Sequence, residues 1–572
     1  MPINIICKEG YFIPEDDETA KDCTKCSLEG CAICNGTYEK NECLNCSDST
    51  PVYENNKIIK CEYHCEIGPE EKCLTCFKNN CSSCNIGYKL NNGKCRPDYF
   101  IKAEYEIKVK GDLVYLFNHY YNRVSQIIIE GKKITGDPAR YYFDKEGNYT
   151  VYIKFEKLNS LSSYYSNFFS DNKNLISVTF SDFDEYKPDF SFESFLKGCN
   201  NLISVDFSKL AVNIKFDANN MFNGCTNLVY ANFNFSKNIT MTKAYSMFNG
   251  CKSLVSVDLS KFDVSTVTKF ENMFAECNSL KYLNIEGFKF TSATTIDNIF
   301  NNCFSLTYID LSNTQNYKIT SMNSLFYNCS SLASINLNNF YTNKVVNMAH
   351  LFFNCSSLTF IDISSFNTEN VYNMEGMFEY CTSLTSIKFG NNFNMNKAHI
   401  INSLFSHCYF LQSIDIAIEG DNSINNLTEL FNECHSLTSV NIENLKTDYV
   451  SSFNSMFHNC YNLKSVDVSH FNIKQHAGFK KMFSGCFSLT SVYFTKTQNS
   501  NLEPSFDEMF YDCPNLSFVD VSFINGINAY YCVLFNKNIS SNGTIVLNEQ
   551  YYNKFKNKFD EDIPSNWTVV FS

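Results

Sequence analysis

No stretch of this 572-residue chain reaches the roughly 18 uncharged apolar residues that would read as a membrane-spanning helix. Its first residues, Met1-Pro-Ile-Asn-Ile-Ile-Cys7, lack the charged segment and apolar run of a secretory leader. Two readings stay open on that point: a cytosolic chain, or an exported parent recorded without its leader. Positive charge is also short, since 47 Lys and Arg face 60 Asp and Glu, for a net charge of −13. Phosphate backbones are held by neutralising cations, so this balance argues against nucleic acid and disfavours passive attachment to anionic lipid. There is no Gly-rich phosphate loop and no His-Glu-x-x-His, which leaves nucleotide and zinc-protease chemistry without a foothold.

What the chain does have is cysteine: 28 residues, half before residue 100 and half after. From Cys199 to Cys513, thirteen of them recur every 26 residues, with two intervals of 27. Each is the fifth residue of one phrase, Met-Phe-x-x-Cys-x-x-Leu-x-x-Val-x-Leu, which stands at Met247–Leu259 and, with substitutions, at Met273–Ile285, Met377–Phe389 and Met456–Val468. A fixed period of this size means a solenoid, which offers a long binding surface rather than one catalytic pocket.

The coil from Leu358 to Cys381 shows how a repeat is built. From Phe360 onward the pattern alternates, with Ile361 and Ile363 pointing one way and Phe360, Asp362 and Ser364 the other, which predicts a short half-buried strand. Phe366 closes the turn. Val371, Met374, Met377, Phe378 and Cys381 then fall on one side of a short helix. The expected fold is a leucine-rich-repeat-like solenoid of about 14 coils, each a parallel strand plus a short helix, with a sheet on the order of 65 Å long. In-phase cysteines would stack in its core with parallel side chains that cannot readily meet, so the ladder is expected as reduced thiols. Asn172 in the first coil and Asn538 in the last partial coil are read at the cysteine position, with the side chain against the loop backbone.

Between Tyr99 and Lys157 the texture changes. Val109–Phe117, Val124–Glu130 and Tyr149–Phe155 read as short strands, placed to cover the exposed first edge of the array. The domain organisation read from these shifts is 1–98 Cys-rich, 99–158 a small β cap, 159–535 the solenoid and 536–572 a C-terminal cap.

The Cys-rich head holds Cys7, Cys23, Cys26, Cys31, Cys34, Cys43, Cys46, Cys61, Cys65, Cys73, Cys76, Cys81, Cys84 and Cys95. Cys23-x2-Cys26-x4-Cys31-x2-Cys34 returns 50 residues later as Cys73-x2-Cys76-x4-Cys81-x2-Cys84. Large apolar residues are scarce there, so covalent staples must do what a core cannot. The even count suits disulfides of unassigned pairing in an oxidising compartment. Zinc is the rival, but His64 is the head's only histidine and 14 sulfurs do not divide by four.

The outward strand position alternates between Asp206, Asp258, Asp310, Asp362, Asp415, Asp467 and Asp520 on even coils and mostly Asn on odd ones. Two residues earlier, the usual Ser becomes Tyr230, Tyr282, Tyr308, Phe360 or Phe518. These residues are the candidate binding face, a mildly acidic lattice with aromatic platforms that suits a basic protein patch, a glycan or a divalent cation. A solvated face selected for regularity is the competing explanation. His407 beside Cys408, Cys434 beside His435 and His458 near Cys460 are the best thiol-catalysis candidates, yet they sit on the core ladder. N-glycosylation triplets such as Asn148-Tyr-Thr150 are no more numerous than abundant asparagine makes expected.

The phrase Met-Phe-x-x-Cys-x-Ser-Leu-x-Ser-Val-Asp-Leu-Ser-x-Phe at Met247–Phe262 resembles the repeat of BspA-like leucine-rich-repeat surface proteins and of lipoprotein-associated surface repeats, over about residues 160 to 535. Gly30-Cys-x-x-Cys-Asn35 and Asn80-Cys-x-x-Cys-Asn85 give the head a likeness to growth-factor-receptor and furin-like modules. These resemblances imply export, surface display and adhesion. The expectation is therefore a non-enzymatic, extracellular or cell-surface protein with a protein or glycan ligand, and with no cofactor, catalytic residue, metal site or nucleic acid. An intracellular scaffold with a zinc-binding head is the alternative.

Overall fold

The computed structural model describes residues 100–572 apart from residue 112 and the stretches 119–123, 136–138, 156–165, 181–190, 211–214, 416–423, 474–475, 495–504, 525–532 and 536–537. Before residue 100 it describes only the backbone of short strands. The expected head disulfides rest on side chains outside the described residues.

Coils contribute short strands, or at Ser465 a single bridge, whose outer residues flank an inward-facing one, and successive strands pair in parallel with an offset of 26 or 27 residues. Ser204, Val205 and Asp206 face Tyr230, Ala231 and Asn232, and Tyr308, Ile309 and Asp310 face Ser334, Ile335 and Asn336. The first coils belong to one nine-stranded sheet that also takes in the preceding meander. Strand Phe100–Ile107 lies antiparallel on the first coil strand, Leu175–Phe180, and occupies the edge that a parallel stack would otherwise leave open. Gly147–Phe155, Val124–Ile129 and Lys132–Ile134 follow outward. At the other end Gly543–Leu547 and Trp567–Phe571 continue the parallel ladder from Phe518–Asp520, joined by helices Glu549–Lys554 and Lys556–Asp562.

The opposite wall departs from the sequence reading. Val371, Met374, Met377, Phe378 and Cys381 are all fully buried, but the segment is a run of turns, not a helix. In the coil bearing Cys225, the N–H groups of Met221, Asn223 and Cys225 close turns onto the carbonyls of Ala218, Asn220 and Phe222. The alternate N–H groups of Asn220, Phe222 and Gly224 donate instead to Tyr245, Met247 and Asn249 of the next coil, at 2.8, 2.8 and 2.7 Å. Two left-handed residues four apart, Asn220 (φ 52°) and Gly224 (φ 79°), set this alternation, and the pair recurs along the array. The physical reason lies in pitch. Paired strands advance about 4.8 Å, whereas packed helices need about 8–10 Å between axes. A wall of turns can keep the pitch of the sheet, its N–H groups shared among carbonyls of the same coil, carbonyls of the next coil and nearby side-chain oxygens.

Two inner columns fill the space between the walls. From Phe222 through Phe248, Phe274 and Phe300 to Phe510, phenylalanine rings stack near-parallel with centroids 5.0–5.8 Å apart. The thirteen ladder cysteines are buried and unbridged. Each thiol donates to a carbonyl of the preceding coil, as Cys225 does to Leu196 (3.0 Å) and Cys355 to Phe326 (3.3 Å). Asn172 takes the same place at the start, its amide reaching the Tyr115 carbonyl at 2.8 Å. Asn538 does not. Its φ of 57° matches Asp512 (φ 60°), the left-handed residue just before Cys513, and its amide bonds the Asp512 carboxylate. An irregular final coil shifts the count by one.

Candidate binding surfaces

The aspartates of the strand face are turn formers. Asp206, Asp258, Asp310, Asp362, Asp467 and Asp520 each accept, through Oδ1, the N–H two residues on, at 2.8–3.0 Å. Asn232, Asn284, Asn336 and Asn441 accept in the same way at 3.0–3.2 Å. Both residue types suit this role because a short side-chain oxygen can mimic a backbone carbonyl. The Asp415 side chain lies outside the described residues.

Alternation adds a bond between coils. The Asn232 amide donates to Asp206 at 3.0 Å, the Asn336 amide to Asp310 at 3.0 Å, and Lys388 Nζ to Asp362 at 2.7 Å. Desolvation pushes the Asp310 carboxyl up, but the hydroxyl and N–H of Ser312 and the Asn336 amide outweigh it and hold it below the usual carboxylate range. Desolvation likewise opposes, and Lys388 and Ser364 outweigh it, at Asp362, which falls to about 2. These carboxylates are engaged within the sheet. Among the described residues no group of three or more His, Cys, Asp or Glu is placed to hold a metal ion.

The aromatic platforms stand out from the same face. Tyr230, Tyr282, Tyr308 and Phe360 are 50%, 41%, 51% and 49% exposed. Phe518 is half-buried and stacks on Tyr493 at 4.7 Å. The sequence reading missed three neighbours. Ile203, Val229 and Val255 precede the strands of consecutive coils and are also exposed, where later coils carry residues such as Lys281, Thr359 and Gln412. That break in a polar column was the available signal. Ile203, Val229 with Tyr230, Val255, Tyr282 and Tyr308 stand on five consecutive coils and make an apolar stripe along the first half of the strand face, with Phe360 two coils beyond.

The thiol candidates are inert by placement. Burial pushes the thiols of Cys408, Cys434 and Cys460 well up, and each donates to a carbonyl, of Phe378, Phe405 and Phe431, at 3.1–3.2 Å. Their histidines turn elsewhere. His407 stacks on Tyr380 and meets the Ser406 hydroxyl at 2.8 Å, His435 meets Glu433 at 2.7 Å, and His458 meets the Ser484 carbonyl at 3.0 Å.

A stack of short-strand coils with a repeating buried Leu–Cys–Phe signature and no catalytic constellation among its described residues defines a leucine-rich-repeat-like β-solenoid. The family model described as "Mycoplasma protein of unknown function, DUF285" matches three overlapping stretches, 215–334, 294–418 and 415–521, more than half of the sequence. The chain belongs to that family. No curated protein matches it. Among solved structures it is similar to the chain in "Crystal structure of TLR13-ssRNA13 complex", with 14% identity, 68% of this chain and 59% of that chain covered, and a TM-score of 0.18. "Crystal structure of PEPR1-AtPEP1" matches with 11% identity, 71% and 95% coverage and a TM-score of 0.11. The protein thus spans less than two thirds of the TLR13 chain.

Proposed function

We propose that this protein is a non-enzymatic surface or secreted binding protein, and that it takes a protein ligand on the first half of its strand face. The observation that carries the reading is the exposed stripe of Ile203, Val229, Tyr230, Val255, Tyr282, Tyr308 and Phe360. Contiguous apolar surface rimmed by polar groups is what interaction sites present, and buried aromatic anchors supply most of the affinity in such contacts. The polar Asp–Asn lattice beside it keeps the face ordered. Display outside the cell rests on the even, densely spaced cysteines of the head.

Surface plasmon resonance of the full chain against extracellular-matrix and cell-surface proteins, with a glycan array beside it, tests the binding reading. A variant carrying Tyr282→Ser, Tyr308→Ser and Phe360→Ser should unfold like the parent but bind at least tenfold more weakly, as expected for lost aromatic anchors. Unchanged affinity in that variant, or ligands confined to the glycan array, would refute it. Thiol titration addresses display: 14 oxidised head cysteines favour export, whereas 14 metal-bound head thiols refute it.

A further inference from the structure

We propose a second docking surface, on the turn wall, for a basic, arginine-bearing extended segment of a partner protein. It is separate from the strand face and stands on different residues.

Along this wall run two stacks of rings that meet edge-on. Tyr380 lies on His407 (4.1 Å), Tyr409 on His435 (4.7 Å), His435 on Tyr461 (4.3 Å) and Tyr461 on Phe487 (4.8 Å), with His407 and Tyr409 6.0 Å apart where the two runs meet. Carboxylates flank the rings on the same coils. Glu433 bonds His435 and Asn459, both at 2.7 Å, Glu429 is 3.3 Å from the Ser403 hydroxyl, and Glu375 accepts from Asn402 at 2.9 Å. The field of Glu379, Glu429 and Glu433 reaches Tyr380, and that of Glu433 and Asp512 reaches Tyr461. The ammonium of Lys481 is drawn off to Glu508, at 3.4 Å. The strip is therefore aromatic at its centre and negative at its margins.

The geometry selects the occupant. Ring faces in the stack cover one another and leave mainly edges, whereas a sugar needs an open face to lie on. Edges rimmed by carboxylates suit arginine, whose alkyl stem can cover the rings while its planar guanidinium reaches Glu379 and Glu429 at the margin, with Glu433, bonded through both oxygens, adding its charge. From Tyr380 to Phe487 the strip crosses four coil steps, about 19 Å, or about six residues of extended chain. Backbone conformation points the same way. Tyr380, His407 and Glu433 hold left-handed φ values of 60°, 62° and 60° at the position where Gly198, Gly224, Gly250 and Gly485 stand in other coils. Residues with a Cβ are disfavoured there, and Asn, Asp and Glu276 also occupy the position in other coils, but an aromatic ring stands there only at Tyr380 and His407 among the described left-handed positions before a ladder cysteine.

Titration supports it. Burial, then the charges of Glu429 and Glu375, hold the Glu379 carboxyl up at about 7. A bound cation would relieve that repulsion, so affinity rises as pH rises through about 7. Burial keeps His350, His407 and His458 below the ordinary histidine range, so they are neutral at that pH and oppose binding only when protonated in acid. The other charged groups around the strip are Glu375, Glu429, Glu433, His435, Lys481, Glu508 and Asp512.

The test is fluorescence anisotropy of labelled peptides of about twelve residues with the full chain. An alternating Arg/Ser peptide should bind more tightly than its Lys/Ser counterpart, an alternating Glu/Ser peptide should not bind, and added salt should weaken the complex. Glu429→Gln with Glu433→Gln should weaken binding roughly tenfold. Should that pair unfold, Glu379→Gln alone should weaken binding and abolish its rise through neutral pH. The strand-face variant above should bind the Arg/Ser peptide as the parent does, which separates the two surfaces. No binding of the Arg/Ser peptide, parental affinity in the carboxylate variants, or loss in the strand-face variant instead would overturn the proposal.

Discussion

Asn336→Asp probes whether alternation of Asp and Asn holds neighbouring coils together. In the parent the Asn336 amide donates to Asp310 at 3.0 Å, and Oδ1 of Asn336 takes the Asn338 N–H at 3.2 Å. Aspartate keeps the second contact and loses the first, so the substitution isolates the bond between coils. A hydrogen bond to a charged group contributes about 1.5 kcal/mol. Two carboxylates about 5 Å apart repel by about 1 kcal/mol at the high effective dielectric of an exposed sheet. The sum is about 2.5 kcal/mol at neutral pH. The sign with pH follows from the carboxyls. Asp310 is held below its ordinary value in the parent, so its stabilising share is present above the unfolded value of about 3.9 and fades as pH falls through the folded one. In the variant the facing carboxylates repel only when both are ionised, so its deficit grows from about pH 3 to about pH 6 and then levels off. Urea unfolding with amide hydrogen exchange across Tyr308–Asn336 measures both effects. Parental stability at neutral pH, or a deficit that does not change with pH, would refute the reasoning.

Alkali should be the protein's weak side. Burial raises the ladder thiols, to about 12 at Cys199, Cys381 and Cys513, so the stability each lends is whole below about pH 8.5 and drains as pH climbs toward the folded value. At about pH 10 each shifted thiol costs about 2 kcal/mol, and a circular-dichroism titration should show cooperative unfolding below that pH, with retention of the fold counting against buried thiols. Cys355→Ala removes a fully buried sulfur and its bond to the Phe326 carbonyl, and calls for a loss of about 2 kcal/mol by urea titration. Gly250→Ala places a Cβ at φ 75°, 3.5 Å from Gly224 Cα, and should cost about 1–2 kcal/mol in the same assay, whereas an alanine at an ordinary right-handed turn position should not.

The buried columns were legible because burial imposes the same chemistry in each coil, so Phe378, Cys381 and Leu384 return as Phe405, Cys408 and Leu411. Their conformation was not, since an inward spacing such as Met374, Met377 and Phe378 fits either a helix or a turn wall. The distinguishing signal was the column before the cysteine, where Gly198, Gly224, Gly250, Asn302, Asn328 and Asn354 mark left-handed backbone. On the strand face the alternation of Asp310 and Asn336 could be counted in the sequence, but its bonds needed coordinates. The ring stack escaped notice because it drifts: Tyr327 and Phe353 sit two residues before their cysteines, Tyr380 and His407 one before, Tyr409, His435, Tyr461 and Phe487 one after. No fixed period reveals such a diagonal.

The Asp–Asn bond between coils gives the array a parity. Removing one coil by recombination would bring Asp310 against Asp362, or Asn284 against Asn336, while removing both coils that carry Asp310 and Asn336 would leave Asn284 beside Asp362 and keep the alternation. Any lengthening or shortening of this solenoid that preserves its edge chemistry must therefore proceed in pairs of coils, so that its unit of growth is twice the repeat that the cysteines display.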